Sequence, residues 1–200
     1  MLTAYIGMGA NLPGPSGPPE AALATAVSRL VSVGRIIGRS SLYSTKPIGF
    51  ADQPRFINAV IALETDLAPH TLLGHLLAIE LEFGRDRSTG IRNGPRTLDL
   101  DILLMGNLSI HESGLEIPHP RLAERRFVLI PLNEVAPKAV DPRTRKTVAQ
   151  LLEILFKDSE SEAHAVVPIQ SDVWRTGAGS GTAGPAPSNG PESGEPHCHR

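Results

Sequence analysis

Four guanidinium groups, Arg85, Arg87, Arg92 and Arg96, lie just upstream of two carboxylates spaced two residues apart, Asp99 and Asp101. The run Leu98-Asp99-Leu100-Asp101-Ile102 alternates apolar and acidic residues, the period of a strand with one buried face. Asp99 and Asp101 then share the other face, with Cβ atoms about 7 Å apart. Neighbouring carboxylates on a half-buried strand repel each other and are costly to desolvate, so they require a cation. Oxygen donors of this kind suit Mg²⁺, which takes one or two protein carboxylates and completes its shell with substrate phosphates and water. Guanidinium forks match phosphate oxygens. The combination points to a metal-bound polyphosphate. The plain alternative is a surface strand whose aspartates pair with those arginines.

The elements that must position these groups read in order along the chain. Residues 2–8 form a first strand ending in Gly7-Met8-Gly9. Position 12 is Leu, so the dinucleotide-binding fingerprint is not met, and the glycines read as a tight turn. A helix is expected over 19–33, with Leu23, Val27, Leu30 and Val31 on one stripe, and a second strand over 35–45. Residues 45–54 are a ten-residue connection holding Pro47 and Pro54, long for a compact domain. A strong strand over 55–65 places Phe56 and Asn58 on one face and Ile57, Ala59, Ile61 and Leu63 on the other. Asn58 then either bonds a neighbouring loop or reads a planar heterocycle stacked on Phe56. A second helix covers 69–83, capped by Gly84, and a short strand is expected at 108–110. His119, held between Pro118 and Pro120 and close to further arginines, is either a structural histidine or a phosphate contact. An apolar segment at 128–135 is interrupted by Pro131, and a last helix spans 147–156.

Composition narrows the classes. A net charge of −2 fits neither a polyanion-binding nor a strongly acidic surface. The single cysteine, Cys198, excludes an intrachain disulfide framework. No apolar run approaches the roughly 20 residues of a membrane span, and the N-terminus lacks the features of a signal peptide, so a cytoplasmic protein without a membrane partner is expected. Residues 158–200 carry six acidic and two basic side chains, and 176–200 are rich in Gly, Pro and Ser. The expected organisation is one domain over 1–157 and a disordered acidic tail over 158–200, with Trp174 the one docking point.

The motif Arg92-x-Gly94-Pro95-Arg96-Thr97-Leu98-Asp99-Leu100-Asp101-Ile102 resembles the signature of the 6-hydroxymethyl-7,8-dihydropterin pyrophosphokinases. Three further stretches are similar to that family in the same order: Tyr5 to Leu12, Thr45-x-Pro47-Ile48-Gly49 with Asp52 to Asn58, and Ile117-Pro118-His119-Pro120 with Arg125-x-Phe127. The resemblance covers about residues 3–156. It implies transfer of pyrophosphate from ATP to the hydroxymethyl group of the pterin, releasing AMP. It further implies that Asp99 and Asp101 hold two Mg²⁺ ions. Arg85, Arg87, Arg96, His119 and Arg125 would face ATP phosphates, with Glu80 and Ile102 near the nucleoside. Thr45, Pro47, Ile48, Gly49, Phe56, Asn58 and Phe127 would line the pterin slot. Arg85, Arg96, Asp99 and Asp101 would be nearest the chemistry. Asn93 stands where some relatives carry a Trp that closes the loop over the substrates, and Leu77 stands where an amide can contact adenine. The implied fold is an α+β ferredoxin-like sandwich, a mostly antiparallel sheet with helices packed against it. The element order strand, helix, strand, strand, helix, strand agrees.

Two other classes are weighed against this one. An RNA-binding module of the same fold needs a basic sheet face with exposed aromatics. This chain has eight aromatic residues and puts an acidic pair on the relevant strand. A two-metal nucleotidyltransferase also uses paired carboxylates, and its product would be pyrophosphate rather than AMP. The expected partners are two small molecules acting on a monomer, without nucleic acid.

Overall fold

The computed structural model describes residues 1–47, 49, 52–85, 94–158 and 166–176. Strand β1 (Leu2–Ala10) lies at the centre of the sheet. Its even positions Ala4, Ile6, Met8 and Ala10 are all buried, and Gly7 and Gly9 fall on the opposite face. Helix α1 (Pro19–Leu30), strands β2 (Arg35–Arg39), β3 (Leu42–Thr45) and β4 (Phe56–Thr65), helix α2 (Pro69–Glu82) and strand β5 (Asp99–Met105) follow. The main path of the sheet runs β3-β4-β1-β5 with every pair antiparallel, which is the ferredoxin-like arrangement. The expected single strand over 35–45 is two, because the chain breaks at Ser40–Ser41. β2 pairs with the Ile61–Glu64 part of β4, and β3 with Phe56–Asn58.

Beyond β5 come the hairpin β6 (Ile110–Glu112) and β7 (Leu115–Ile117), a 3-10 turn (Leu122–Glu124), and helix α3 (Arg126–Val135). The hairpin β8 (Val140–Asp141) and β9 (Lys146–Thr147) leads into α4 (Val148–Asp158). The short strand expected at 108–110 is shifted to Ile110–Glu112, because Gly106 at φ 50° opens a turn that runs on to Leu108. Helix α3 continues past Pro131. Burial of Val128, Leu129 and Leu132 offsets the lost backbone donor, which costs about 3 kcal/mol in a helix interior.

Helices cover both faces of the sheet. Leu23, Leu30, Leu72 and Leu76 of α1 and α2 pack on Ile6, Ile61, Leu63 and Leu100. On the other face Leu129, Leu132 and Leu151 of α3 and α4 pack on Val60, Leu103 and Leu104. Each fully buried side chain of this size contributes about 1.5–3 kcal/mol. The pairing of β5 with β1 slips by one residue between Ile102 and Leu104, so Leu103 and Leu104 both reach the second core. At the Asp99–Asp101 end of β5 this second face opens as a cleft beside the start of α3.

The stretch expected to be tail holds two more elements. β10 (Val167–Ile169) pairs antiparallel with β3, and α5 (Asp172–Thr176) packs on α1. Trp174 is 4% exposed and belongs to the first core. The indole in its apolar recess and the pairing of β10 with β3 together hold this segment on the domain.

Candidate active site

The cleft has a volume of about 240 Å³, and its floor is the sheet itself. Antiparallel register puts Asn58, Gly9 and Asp99 in one row across β4, β1 and β5, and Val60, Gly7 and Asp101 in the next. The two glycines are therefore mid-strand rather than in a turn. A Cβ on Gly9 would lie 3.2 Å from Asn58 Oδ1, and one on Gly7 3.1 Å from Leu103 Cδ2. The close approach of their neighbours, and not a left-handed backbone, is what favours glycine there: any Cβ would press on Asn58 or Leu103 and shift it.

The acidic end of the floor is built from α2. Gly84 at φ 79° reverses the chain after that helix, Gly84 N–H bonds Leu81 O, and Arg85 N–H bonds Glu80 O. This cap fixes the start of the arginine stretch. Glu80 is 1% exposed; its Oε1 accepts from Leu100 N–H at 2.8 Å and from Arg85 Nη1 at 2.9 Å. Arg85 Nη1 also reaches Leu98 O and Asp99 Oδ1. Arg96 Nη1 takes the other oxygen, Asp99 Oδ2, at 2.6 Å. Burial opposes the charge on Arg85, but Asp99, Glu80 and Asp101 outweigh it and hold its pKa above the usual guanidinium value.

Asn11 sets the other flank of Arg96. Its Oδ1 accepts from Arg96 N–H at 2.7 Å, while its Nδ2 donates to Gln53 Oε1 and Pro54 O. The Arg96 guanidinium then lies 5.2 Å from the centre of the Phe56 ring. Farther along the neutral wall, Asn58 Nδ2 donates to Thr45 Oγ1 at 2.8 Å, both residues being buried. Asn58 therefore has a partner within the protein. Phe127, at the start of α3, closes the cleft from the opposite side, with the Arg125 guanidinium 5.5 Å from its ring centre.

Further polar groups reach the cleft from the connector before α3. His119 N–H bonds Leu103 O, and Arg143 Nη2 donates to His119 O while pairing with the fully buried Asp141. His119 Nδ1 accepts from Arg121 N–H at 3.1 Å. Burial, with Arg125 close by, lowers the His119 pKa to about 4, so its imidazole is neutral at pH 7. With Nδ1 occupied as an acceptor, the proton sits on Nε2, which is a donor. Arg125 is itself lowered by burial and by the neighbouring Arg121.

The cleft thus brings together Arg85, Arg96, Asp99 and Asp101 with His119, Arg125, Thr45, Phe56, Asn58 and Phe127. Four described candidates lie off its walls. Glu80 is buried beneath Arg85 and supports it; Ile102 is in the core on the other face of the sheet; Pro47 and Gly49 lie beyond the cleft rim. Arg87 and Ile48 lie outside the described residues, as do Arg92 and Asn93. Sequence reasoning passed over Gly7, Gly9, Lys46, Leu103 and Arg121, which line the cleft, and Asn11, which braces it. Two glycines at i, i+2 inside an apolar strand were the available signal for the floor.

Among the described residues no group of three His, Cys, Asp or Glu side chains could hold a metal. Asp99 and Asp101 alone are a donor set of hard oxygens, which fits an ion such as Mg²⁺ whose shell is completed by phosphate oxygens and water.

Residues 5–137 match the family model described as 7,8-dihydro-6-hydroxymethylpterin-pyrophosphokinase (HPPK). The chain is 50% identical over 133 residues to the 2-amino-4-hydroxy-6-hydroxymethyldihydropteridine pyrophosphokinase of Pseudomonas aeruginosa, covering 66% of this chain and 80% of that protein. It is 46% identical over 145 residues to the enzyme of the same name from Haemophilus influenzae, covering 72% and 88%. In three dimensions it resembles the wild-type HPPK-DHPS of Plasmodium falciparum at a TM-score of 0.62 and 14% identity, over 82% of this chain but 47% of that one. Because the family model spans residues 5–137 and relatives of that name are about half identical over most of their length, the chain belongs to the 7,8-dihydro-6-hydroxymethylpterin-pyrophosphokinase family.

Proposed function

We propose that this cleft transfers the β,γ-pyrophosphoryl group of ATP to the hydroxymethyl oxygen of 6-hydroxymethyl-7,8-dihydropterin, in a Mg²⁺-dependent reaction of folate biosynthesis. The observation that carries the reading is the opposition of two ends within one cleft. Asp99, Asp101, Arg85 and Arg96 meet a neutral slot formed by Phe56, Asn58, Thr45 and Phe127. A flat, polar-edged heterocycle stacks between two phenyl faces and bonds an amide and a hydroxyl at its edge. A polyphosphate requires the cationic walls supplied by Arg85, Arg96, Arg121 and Arg125, with the neutral His119 adding an Nε2–H donor.

In the reaction the hydroxymethyl oxygen forms a bond to the β-phosphorus. The bond from that phosphorus to the α,β-bridging oxygen breaks, AMP leaves with the oxygen, and the hydroxyl proton passes to solvent. His119 is not the base, because its free nitrogen already carries the proton. Positioning by Asn58, Thr45 and the two phenyl rings, and charge stabilisation by the arginines, supply the rate. Asp99 and Asp101 would hold the Mg²⁺, two ions by the family resemblance, and the metal would neutralise phosphate charge there. The protein acts as a monomer in the cytoplasm, with ATP and the pterin as its partners.

AMP formation from MgATP, followed with and without the pterin, tests the reading. Pterin-dependent AMP is expected. Release of pyrophosphate instead would identify a nucleotidyltransferase, and AMP formed equally without pterin would leave the slot without a role.

A further inference from the structure

We infer that the segment containing β10 and α5 is a strap that positions the pterin wall of the cleft, with Trp174 as its anchor. Strand β3 carries Thr45 but spans only Leu42–Thr45 and follows the break at Ser40–Ser41. Four residues with three paired positions on β4 are a weak basis for holding a side chain in place. The strap supplies the missing support from two directions. Val167, Pro168 and Ile169 pair with Ser44, Tyr43 and Leu42, which places β3 between two neighbours instead of at an edge. At the break itself, Trp174 Nε1–H donates to Ser40 O at 2.8 Å. Arg39 Nη1 returns a 2.6 Å bond to Trp174 O, and its guanidinium lies 4.7 Å from the centre of an indole ring. From the other side of the sheet, Glu134 of α3 accepts from Ser41 N–H and Oγ–H and from Tyr43 Oη–H.

The consequence is directional. Thr45 and Asn58 are bonded to each other across β3 and β4, whereas Arg85, Arg96 and Asp99 are tied to α2 and β5; the strap's strand pairing and hydrogen bonds go to β3 and the Arg39–Ser40 break. Loosening the strap therefore weakens the neutral slot and spares the phosphate walls. Trp174 is a positioning residue for pterin, and the inference rests on the assignment of the slot above.

The test uses the full chain carrying Trp174→Ala, Trp174→Phe and Arg39→Ala, with Asn58→Ala as the slot control. Trp174 is the only tryptophan, so the emission of the Arg39→Ala variant reports directly whether the strap has left its recess. Trp174→Ala is expected to raise the KM for pterin about tenfold while the KM for ATP stays within about twofold. Trp174→Phe, which keeps a ring and loses the bond to Ser40, should fall between. Equal rises in both KM values, or a solvent-exposed Trp174 emission with an unchanged pterin KM, would overturn the inference. An unchanged pterin KM in Asn58→Ala would instead overturn the slot assignment on which it rests.

Discussion

The two ends of the cleft are held by opposite means. At the acidic end the side chains are held mainly by ion pairs and charge-assisted bonds between residues close in sequence, from Glu80 and Arg85 to Arg96 and Asp99, with Asn11 bracing the Arg96 backbone. At the neutral end the slot bond between Asn58 and Thr45 carries no charge, and its supports are recruited from elements far apart in sequence: β3, β4, Arg39, Glu134 of α3, and Trp174 near the far end of the described chain. A local charge cluster keeps its geometry through strong pairwise forces, whereas a neutral slot needs several elements to agree on its position. Substitutions should therefore act locally and steeply at the first end and diffusely at the second.

The sharpest break is Asp101→Ala, which removes a carboxylate from the charged floor. Turnover should fall by about a thousandfold or more with the fold intact, measured as AMP formation beside a thermal melt. Asp99→Ala should lose as much activity and also melt lower than Asp101→Ala, because Arg85 and Arg96 are then left facing each other without their shared partner. Equal melting temperatures would contradict the clasp. Glu80→Gln comes next: a buried carboxylate that serves both Arg85 and Leu100 N–H is lost, and urea unfolding should show about 2 kcal/mol of destabilisation. A neutral result there would mean that Asp99 alone holds Arg85.

At the other end Thr45→Val removes the acceptor of the Asn58 amide. The expected effect is a several-fold rise in pterin KM with little change for ATP, read from initial rates. The smallest effect is set by His119. Its folded pKa is lowered to about 4 from the ordinary 6.5, so the unfolded chain takes up a proton first on acidification. The stability this neutral imidazole contributes is complete above about pH 6.5 and is lost as pH falls towards about 4. His119→Gln should flatten that part of the stability profile in the ligand-free protein. An imidazole that titrates near 6.5 by NMR would contradict its burial.

The acidic end was the legible one. Alternation at Leu98 to Ile102 placed Asp99 and Asp101 on one face, and the order of strands and helices led to the observed sheet. Phe56 and Asn58 were paired correctly by period alone. What escaped was everything that depends on register between distant strands. Gly7 and Gly9 acquire their meaning from Asn58, Leu103 and Asp99 across the sheet; their i, i+2 spacing marks a close approach without recording what approaches. Arg121 looks like one arginine among several until the connector turns it into the cleft. Composition misled at the C-terminal side. An acidic, Gly- and Pro-rich average concealed an eleven-residue stretch, 166–176, that docks through one indole.

The two borders of the sheet also bear on how copies of this protein behave towards one another. On the β5 side the backbone carbonyl of Leu103 is occupied by His119 N–H, and on the opposite side β10 ends the sheet with Pro168, a residue that has no N–H to offer. A row of unpaired backbone groups is a template on which a second chain can add a strand, and each of these two features takes one group out of such a row. Detaching β10 would uncover the row along Leu42 to Ser44, converting a closed border into an adhesive one. The residues that finish the sheet beyond β3 therefore also keep that stretch of backbone from pairing with another chain.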